Sequence, residues 1–231
     1  MPDVARNIDL VRARIRAAAQ ACGRNPDEVA LLAVSKGQPR SAIETALRAD
    51  QHLFGENYLQ EALGKISALE DRDITWHFIG ALQANKTRAV AERFAWVHTV
   101  NSERIARRLS EQRPARLPPL NVCIEVKLSD EPAKHGITPA ELPTLAANIS
   151  RLPNLRLRGL MTIPAVAHDP QQQRIPFRRL RELRDQLNAQ GRALDTLSMG
   201  MSDDLEAAVA EGATLVRIGT AIFGPRAAKP D

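Results

Sequence analysis

The stretch Val29-Ala30-Leu31-Leu32-Ala33-Val34-Ser35-Lys36-Gly37 sets an apolar run of strand length against a polar turn. A run that does not alternate apolar with polar residues marks a strand buried on both faces, as in a parallel sheet covered by helices. The same arrangement recurs along the chain. Strand candidates run over 29–35, 52–55, 74–79, 96–100, 121–127, 156–163, 195–199 and 214–218, eight in all. Helical periodicity fills the gaps at 40–48, 58–69, 85–92, 102–112, 139–150, 176–190 and 203–211. Eight strands alternating with helices favour a closed (β/α)8 TIM-type barrel of the α/β class over an open doubly wound sheet.

Ahead of the first strand, Val4, Ile8, Val11 and Ile15 stand at helical spacing among arginines, and the pattern stops at Cys22-Gly23. Residues 1–23 therefore read as an extra N-terminal helix packed on the barrel, and 1–231 as one domain. Turn signals fall at Gly37-Gln38-Pro39, at 114–119, at Glu131-Pro132 and at 164–170, and none has the length of an interdomain linker.

Composition narrows the function classes. Aromatic residues make up only 3% of the chain, too few for the stacking platforms of a single-stranded nucleic-acid binder, although the net charge is +5. The densest basic stretch, Arg174 to Arg184, has Phe177, Leu180, Leu183 and Leu187 interleaved at helical spacing. It reads as a solvated helix face with i,i+4 pairs Arg178–Glu182 and Arg181–Asp185, not as a nucleic-acid patch. No apolar run approaches the ~18 residues a spanning helix needs, so no membrane partner and a cytoplasmic location are expected. Cys22 and Cys123 read as reduced packing residues. No metal-ligand spacing, dinucleotide fingerprint, P-loop or nucleophile elbow is present.

Barrel proteins carry function at the C-terminal ends of their strands. Lys36 stands at such an end, where apolar walls strip water from an amine and favour its uncharged, nucleophilic form. A strand-end lysine also commonly snorkels to solvent. At the far end of the sequence, Ser198-Met199-Gly200-Met201-Ser202 closes strand seven and Arg217-Ile218-Gly219-Thr220 closes strand eight. Loops after those strands commonly hold phosphate. Ser202 could cap the next helix or reach a phosphate oxygen, and Gly219 and Thr220 could serve a ligand or a simple turn. Arg217 cannot lose its proton and needs an acceptor, either a ring nitrogen or a nearby carboxylate. His77 reads as a hydrogen-bonded strand histidine.

With these residues in view, the chain closely resembles the YggS/PROSC family of pyridoxal phosphate homeostasis proteins. The resemblance rests on Ala33-Val34-Ser35-Lys36, Phe54-Gly55-Glu56-Asn57, His77-Phe78-Ile79-Gly80 with Leu82-Gln83 and Asn85-Lys86, and Gly159-Leu160-Met161. It continues through Ser198 to Asp203 and Arg217 to Thr220 with Ile222-Phe223-Gly224. It implies a barrel like the N-terminal domain of alanine racemase, with pyridoxal 5'-phosphate (PLP) as cofactor in a Schiff base on Lys36. It also implies cofactor contacts at Asn57 and Arg217, and phosphate contacts at Ser202, Gly219 and Thr220. Lys127 departs from the pattern, standing where a small polar residue is expected.

The function so implied is PLP (vitamin B6) homeostasis: a carrier or regulator without established turnover that buffers the cofactor or delivers it to apo PLP-dependent enzymes. A monomer is expected, because the family lacks the second domain that builds the racemase dimer. The rival reading is a single-domain amino-acid racemase. It needs a second base across the cofactor, and nothing in the sequence places the one tyrosine, Tyr58, opposite Lys36. A Schiff-base aldolase is a more distant alternative by fold analogy.

Overall fold

The computed structural model describes residues 2–129 and 135–225, so the Glu131-Pro132 turn lies outside the described residues. Eight strands, β1 Ala30–Val34, β2 Leu53–Glu56, β3 Thr75–Phe78, β4 Trp96–Val100, β5 Leu120–Glu125, β6 Leu155–Met161, β7 Thr196–Ser198 and β8 Leu215–Ile218, pair in parallel and close into a barrel in chain order. Closure is made by β1 against β8, with Leu32 beside Arg217 and Ala33 beside Ile218. The helices are α1 Val4–Ala21, α2 Arg40–Arg48, α3 Leu59–Ala68, α4 Thr87–Arg93, α5 Glu103–Gln112, α6 Leu142–Ile149, α7 Pro170–Ala189, α8 Leu205–Ala210 and α9 Thr220–Phe223.

Two apolar layers follow from strand alternation. Outward-facing Leu31, Ala33, Phe54, Phe78, Val97 and Ile124 join the inner faces of the helices in one large core. Inward-facing Leu32, Val34, Ile79 and Leu215 form a much smaller cluster inside the barrel. The extra helix α1 buries Val4, Ile8, Val11, Ile15 and Ala19, the spacing read from the sequence, and packs on α2, α8 and α9.

Several local expectations need correction. Helix α7 begins at Pro170, not at Pro176. Asp169 caps it by accepting from the main-chain N–H of Gln171 and Gln172, and Pro170 takes the first turn, where a missing N–H costs nothing. Pro176 is carried inside the helix. Its arginines are not simply solvated: Arg174, Arg178 and Arg181 all converge on Glu211, whose side chain is only 1% exposed. Arg178 and Arg181 thus reach across to the end of α8, while Glu182 pairs with Arg179 and Asp185 with Arg184. Cys123 is a buried packing residue whose thiol burial pushes up to about 12, but Cys22 is exposed and donates to Ala18 O.

Candidate functional site

The strand ends bring Lys36, Asn57, Ser202, Arg217, Gly219 and Thr220 around one cleft at the C-terminal mouth of the barrel. Val34, Ile79 and Ile163 supply its apolar wall. These six polar and glycine positions come from β1, β2, β7 and β8, and only the closure of β1 on β8 makes them neighbours.

Lys36 is half-buried just past β1, and Gly37, at φ 72°, turns the chain back in a conformation that side-chain-bearing residues disfavour. Both neighbours of the lysine are held from beneath. Ser35 Oγ donates to Glu56 Oε1 at 2.6 Å, and Lys65 Nζ donates to Ser35 O and to Glu56 Oε1, each at 2.7 Å. Lys65 also pairs with Glu61, whose Oε1 accepts from the Gly37 N–H at 2.6 Å. Burial holds the Glu56 carboxyl above the ordinary carboxylate range, against the opposing charge and hydrogen bond of Lys65. A charge pair so enclosed fixes geometry more than it adds stability, because desolvation consumes much of the attraction.

Asn57 follows β2, and its Oδ1 is buried with no hydrogen-bond partner among the described residues. A buried acceptor left open at a cleft is a costly feature unless a ligand meets it. The Asn57 backbone sits so close to Gly80 that a Cβ there would lie 2.1 Å from Asn57 O. Glycine in His77-Phe78-Ile79-Gly80 is therefore what lets the Asn57 loop lie down on the end of β3.

Arg217 projects inward from β8 and is 4% exposed. Its Nη1 donates to Ser198 Oγ and its Nη2 to Thr162 O, both at 2.9 Å. Its hydrogen bonds thus go to neutral oxygens, while Asp204 and Glu125 act on it through space. Burial lowers its pKa to about 10, which leaves it charged near neutrality. Ser202 does not cap α8: its Oγ accepts from the Ala221 N–H at 3.4 Å, while Asp204 Oδ1 accepts from the Met201 N–H. Gly219 is partly exposed and Thr220 exposed at the cleft rim. The Lys127 N–H donates to Ile137 O at 2.8 Å, so the departing residue sits on a main chain fixed by an isolated bridge.

His77 is a hydrogen-bonded strand histidine as expected, and it belongs to a longer polar column. Its Nδ1 lies 2.9 Å from His98 Nε2, and His98 Nδ1 lies 2.7 Å from Ser198 Oγ. His98 and Lys65 are residues that sequence reasoning missed, while Ser198 and Glu56 stood in the quoted motifs without an assigned role. The Glu61–Lys65 helical spacing was a visible hint for one of them. Among the described residues no group of three or more His, Cys, Asp or Glu could hold a metal, and no helix is long and apolar enough to cross a membrane.

The barrel, its extra helix and the cleft at the end of β1 define the class: the chain belongs to the alanine racemase N-terminal domain family, whose model matches residues 7–227. Within it, the chain is 59% identical over 226 residues to a pyridoxal phosphate homeostasis protein of Pseudomonas aeruginosa, covering 98% of this chain and 97% of that one. It is 54% identical over 229 residues to the pyridoxal phosphate homeostasis protein of Escherichia coli K12, covering 98% of each. Among solved structures, PipY of Synechococcus elongatus with PLP bound superposes with a TM-score of 0.84 at 37% identity, covering 96% of this chain and 100% of PipY.

Proposed function

We propose that this chain is a single-domain PLP-binding protein of vitamin B6 homeostasis that holds the cofactor reversibly on Lys36 and buffers it for other enzymes. The observation that carries the reading is the meeting of the six residues around one cleft, with the Asn57 acceptor buried and open beside them. The chemistry of the set fits the group. An amine emerging from apolar walls suits an aldehyde, a buried guanidinium suits a ring nitrogen, and hydroxyls with a glycine-flanked backbone suit a phosphate. The homologous PipY, with PLP bound, and the names of the bacterial relatives support the same assignment.

When bound, PLP supplies a carbonyl that forms a reversible covalent link to an amine, and an electron-accepting ring. The chain's own residues do the rest. Lys36 Nζ would be the amine that takes and gives up the link, and the Ser35–Glu56–Lys65–Glu61 brace keeps its backbone in place. Arg217 would offer an N–H donor to the ring nitrogen, which would favour its unprotonated form and restrain carbanion chemistry. Ser202, Gly219 and Thr220, at the cleft rim, would hold the phosphate end. The recipients are apo PLP-dependent enzymes, and the carrier acts in the cytoplasm as a monomer.

Borohydride reduction of the purified, PLP-loaded protein followed by peptide mapping tests the anchor. The cofactor is expected on the peptide carrying Lys36, and a cofactor fixed elsewhere, or none fixed, would sink the reading. Delivery is tested by incubating the loaded protein with an apo PLP enzyme in the presence of a trap for free cofactor, where restored activity is the expected result.

A further inference from the structure

The column that runs down the barrel from Arg217 supplies none of the cofactor contacts named so far. It comprises Ser198 on β7, His98 on β4 and His77 on β3, exposed by 0%, 0% and 1% respectively. Three polar side chains occupy space where the barrel's own Leu32, Val34, Ile79 and Leu215 show that apolar residues fit. Their last atom, His77 Nε2, is buried without a hydrogen-bond partner among the described residues. Such a column persists against its desolvation penalty only if it does something for the group at its head.

We propose that His77, His98 and Ser198 are a positioning chain for Arg217, a one-way row of hydrogen bonds that keeps the guanidinium under the cofactor seat. The inference rests on the PLP reading above. Its polarity is set by Arg217, which can only donate. Ser198 Oγ accepts from Arg217 Nη1, so its single proton goes to its other neighbour, His98 Nδ1. His98 then carries its proton on Nε2 and donates to His77 Nδ1, and His77 in turn carries its proton on Nε2. The reverse polarity would leave the Ser198 proton without an acceptor in the middle of the barrel. The chosen one strands only the terminal N–H of His77, a residue that also lines the depression at the N-terminal mouth with Trp96, Arg158 and Asp195. Burial keeps both histidines neutral, as this row of donors requires.

The column has a competitor to hold off. Glu125 and Asp204 both attract the guanidinium through space, and Glu125 Oε2 is buried without a partner. Without Ser198, Arg217 is free to turn from the seat to Glu125. The column is thus what keeps a buried arginine on a neutral oxygen with unpaired carboxylate nearby.

The test uses the full chain loaded with PLP. In wild type, nitrogen-detected NMR of the histidine rings is expected to show His77 and His98 as neutral tautomers protonated on Nε2; a proton on Nδ1 of either overturns the proposal even if every variant fails to fold. In Ser198→Ala, a phosphatase trap is expected to show cofactor release faster by about tenfold, the order of one lost charge-assisted hydrogen bond, and in His98→Leu a smaller acceleration, each with a displaced absorbance maximum. Both effects should vanish in an Arg217→Ala background, and Glu125→Gln should restore part of the retention lost in Ser198→Ala. A merely structural role would add to the Arg217 effect and would not respond to Glu125. Wild-type release from the folded variants overturns the positioning chain, whereas absence of any borohydride-fixed cofactor in wild type would instead sink the PLP reading itself.

Discussion

The two faces of the same eight strands differ in kind. Outward, Leu31, Phe54, Phe78, Val97 and Ile124 meet the helices in one large apolar layer, interrupted at the strand ends by the Ser35–Glu56–Lys65 brace. Inward, Leu32, Val34, Ile79 and Leu215 share the barrel with His77, His98, Ser198 and Arg217, which are joined by hydrogen bonds. Burial is equally complete on both faces, so burial alone does not separate scaffold from site. What separates them is whether the buried groups need partners. The outer layer is held by area and packing and tolerates change by degrees, whereas each inner polar group depends on a specific neighbour.

The sharpest way to break this contrast is at its extremes. Phe177→Ala, in the outer layer and fully buried, is expected to lower unfolding free energy by about 4 kcal/mol while leaving the absorbance of bound cofactor unchanged. Denaturant titration and a spectrum of the loaded protein read the two sides separately. Lys65→Met removes one partner of the enclosed pair and should cost about 3 kcal/mol, but here cofactor retention should fall as well, because Ser35 and Gly37 lose their brace. A spectrum and release rate equal to wild type would mean the brace is scaffold only.

Acid provides a third test. Burial lowers the His77 pKa from 6.5 to about 3, so the unfolded chain takes up a proton there before the folded one does. The stability due to keeping this ring neutral is present above pH 6.5 and is lost as pH falls toward 3. The loss is about 2 kcal/mol between pH 6.5 and 5. His77→Phe, which keeps a ring against Trp96, should flatten that slope in chemical denaturation series; an unchanged slope would place the titration elsewhere. The smallest effect belongs to the rim, where Thr220→Ala is expected to speed cofactor release about threefold with no change in melting temperature.

The outer face was legible in the sequence because it is written locally. The β4 strand at Trp96–Val100 and the α2 helix at Arg40–Arg48 match their sequence readings end to end, and both rest on short-range apolar patterns. The start of α7 was misplaced because Pro176 looked like a beginning, when Asp169-Pro170 already supplied cap and first turn. The six cleft residues were legible as strand-end chemistry combined with a family resemblance. The brace and the column were not, since they are tertiary facts. Glu56 and Lys65 meet across the end of β2 and α3, and His98 and Ser198 meet across a hundred positions. Similarly, Arg178 and Arg181 each had a plausible local partner, and a buried glutamate on another helix won.

The brace beneath Lys36 also bears on timing. Its donors and acceptors are all side chains and main chain of this protein, so Ser35 and Gly37 are fixed before any cargo arrives and stay fixed after it leaves. The entropy of ordering that turn is spent once, at folding, and not again at each exchange. On the proposed PLP reading, a seat built this way is ready for the next occupant as soon as it is emptied.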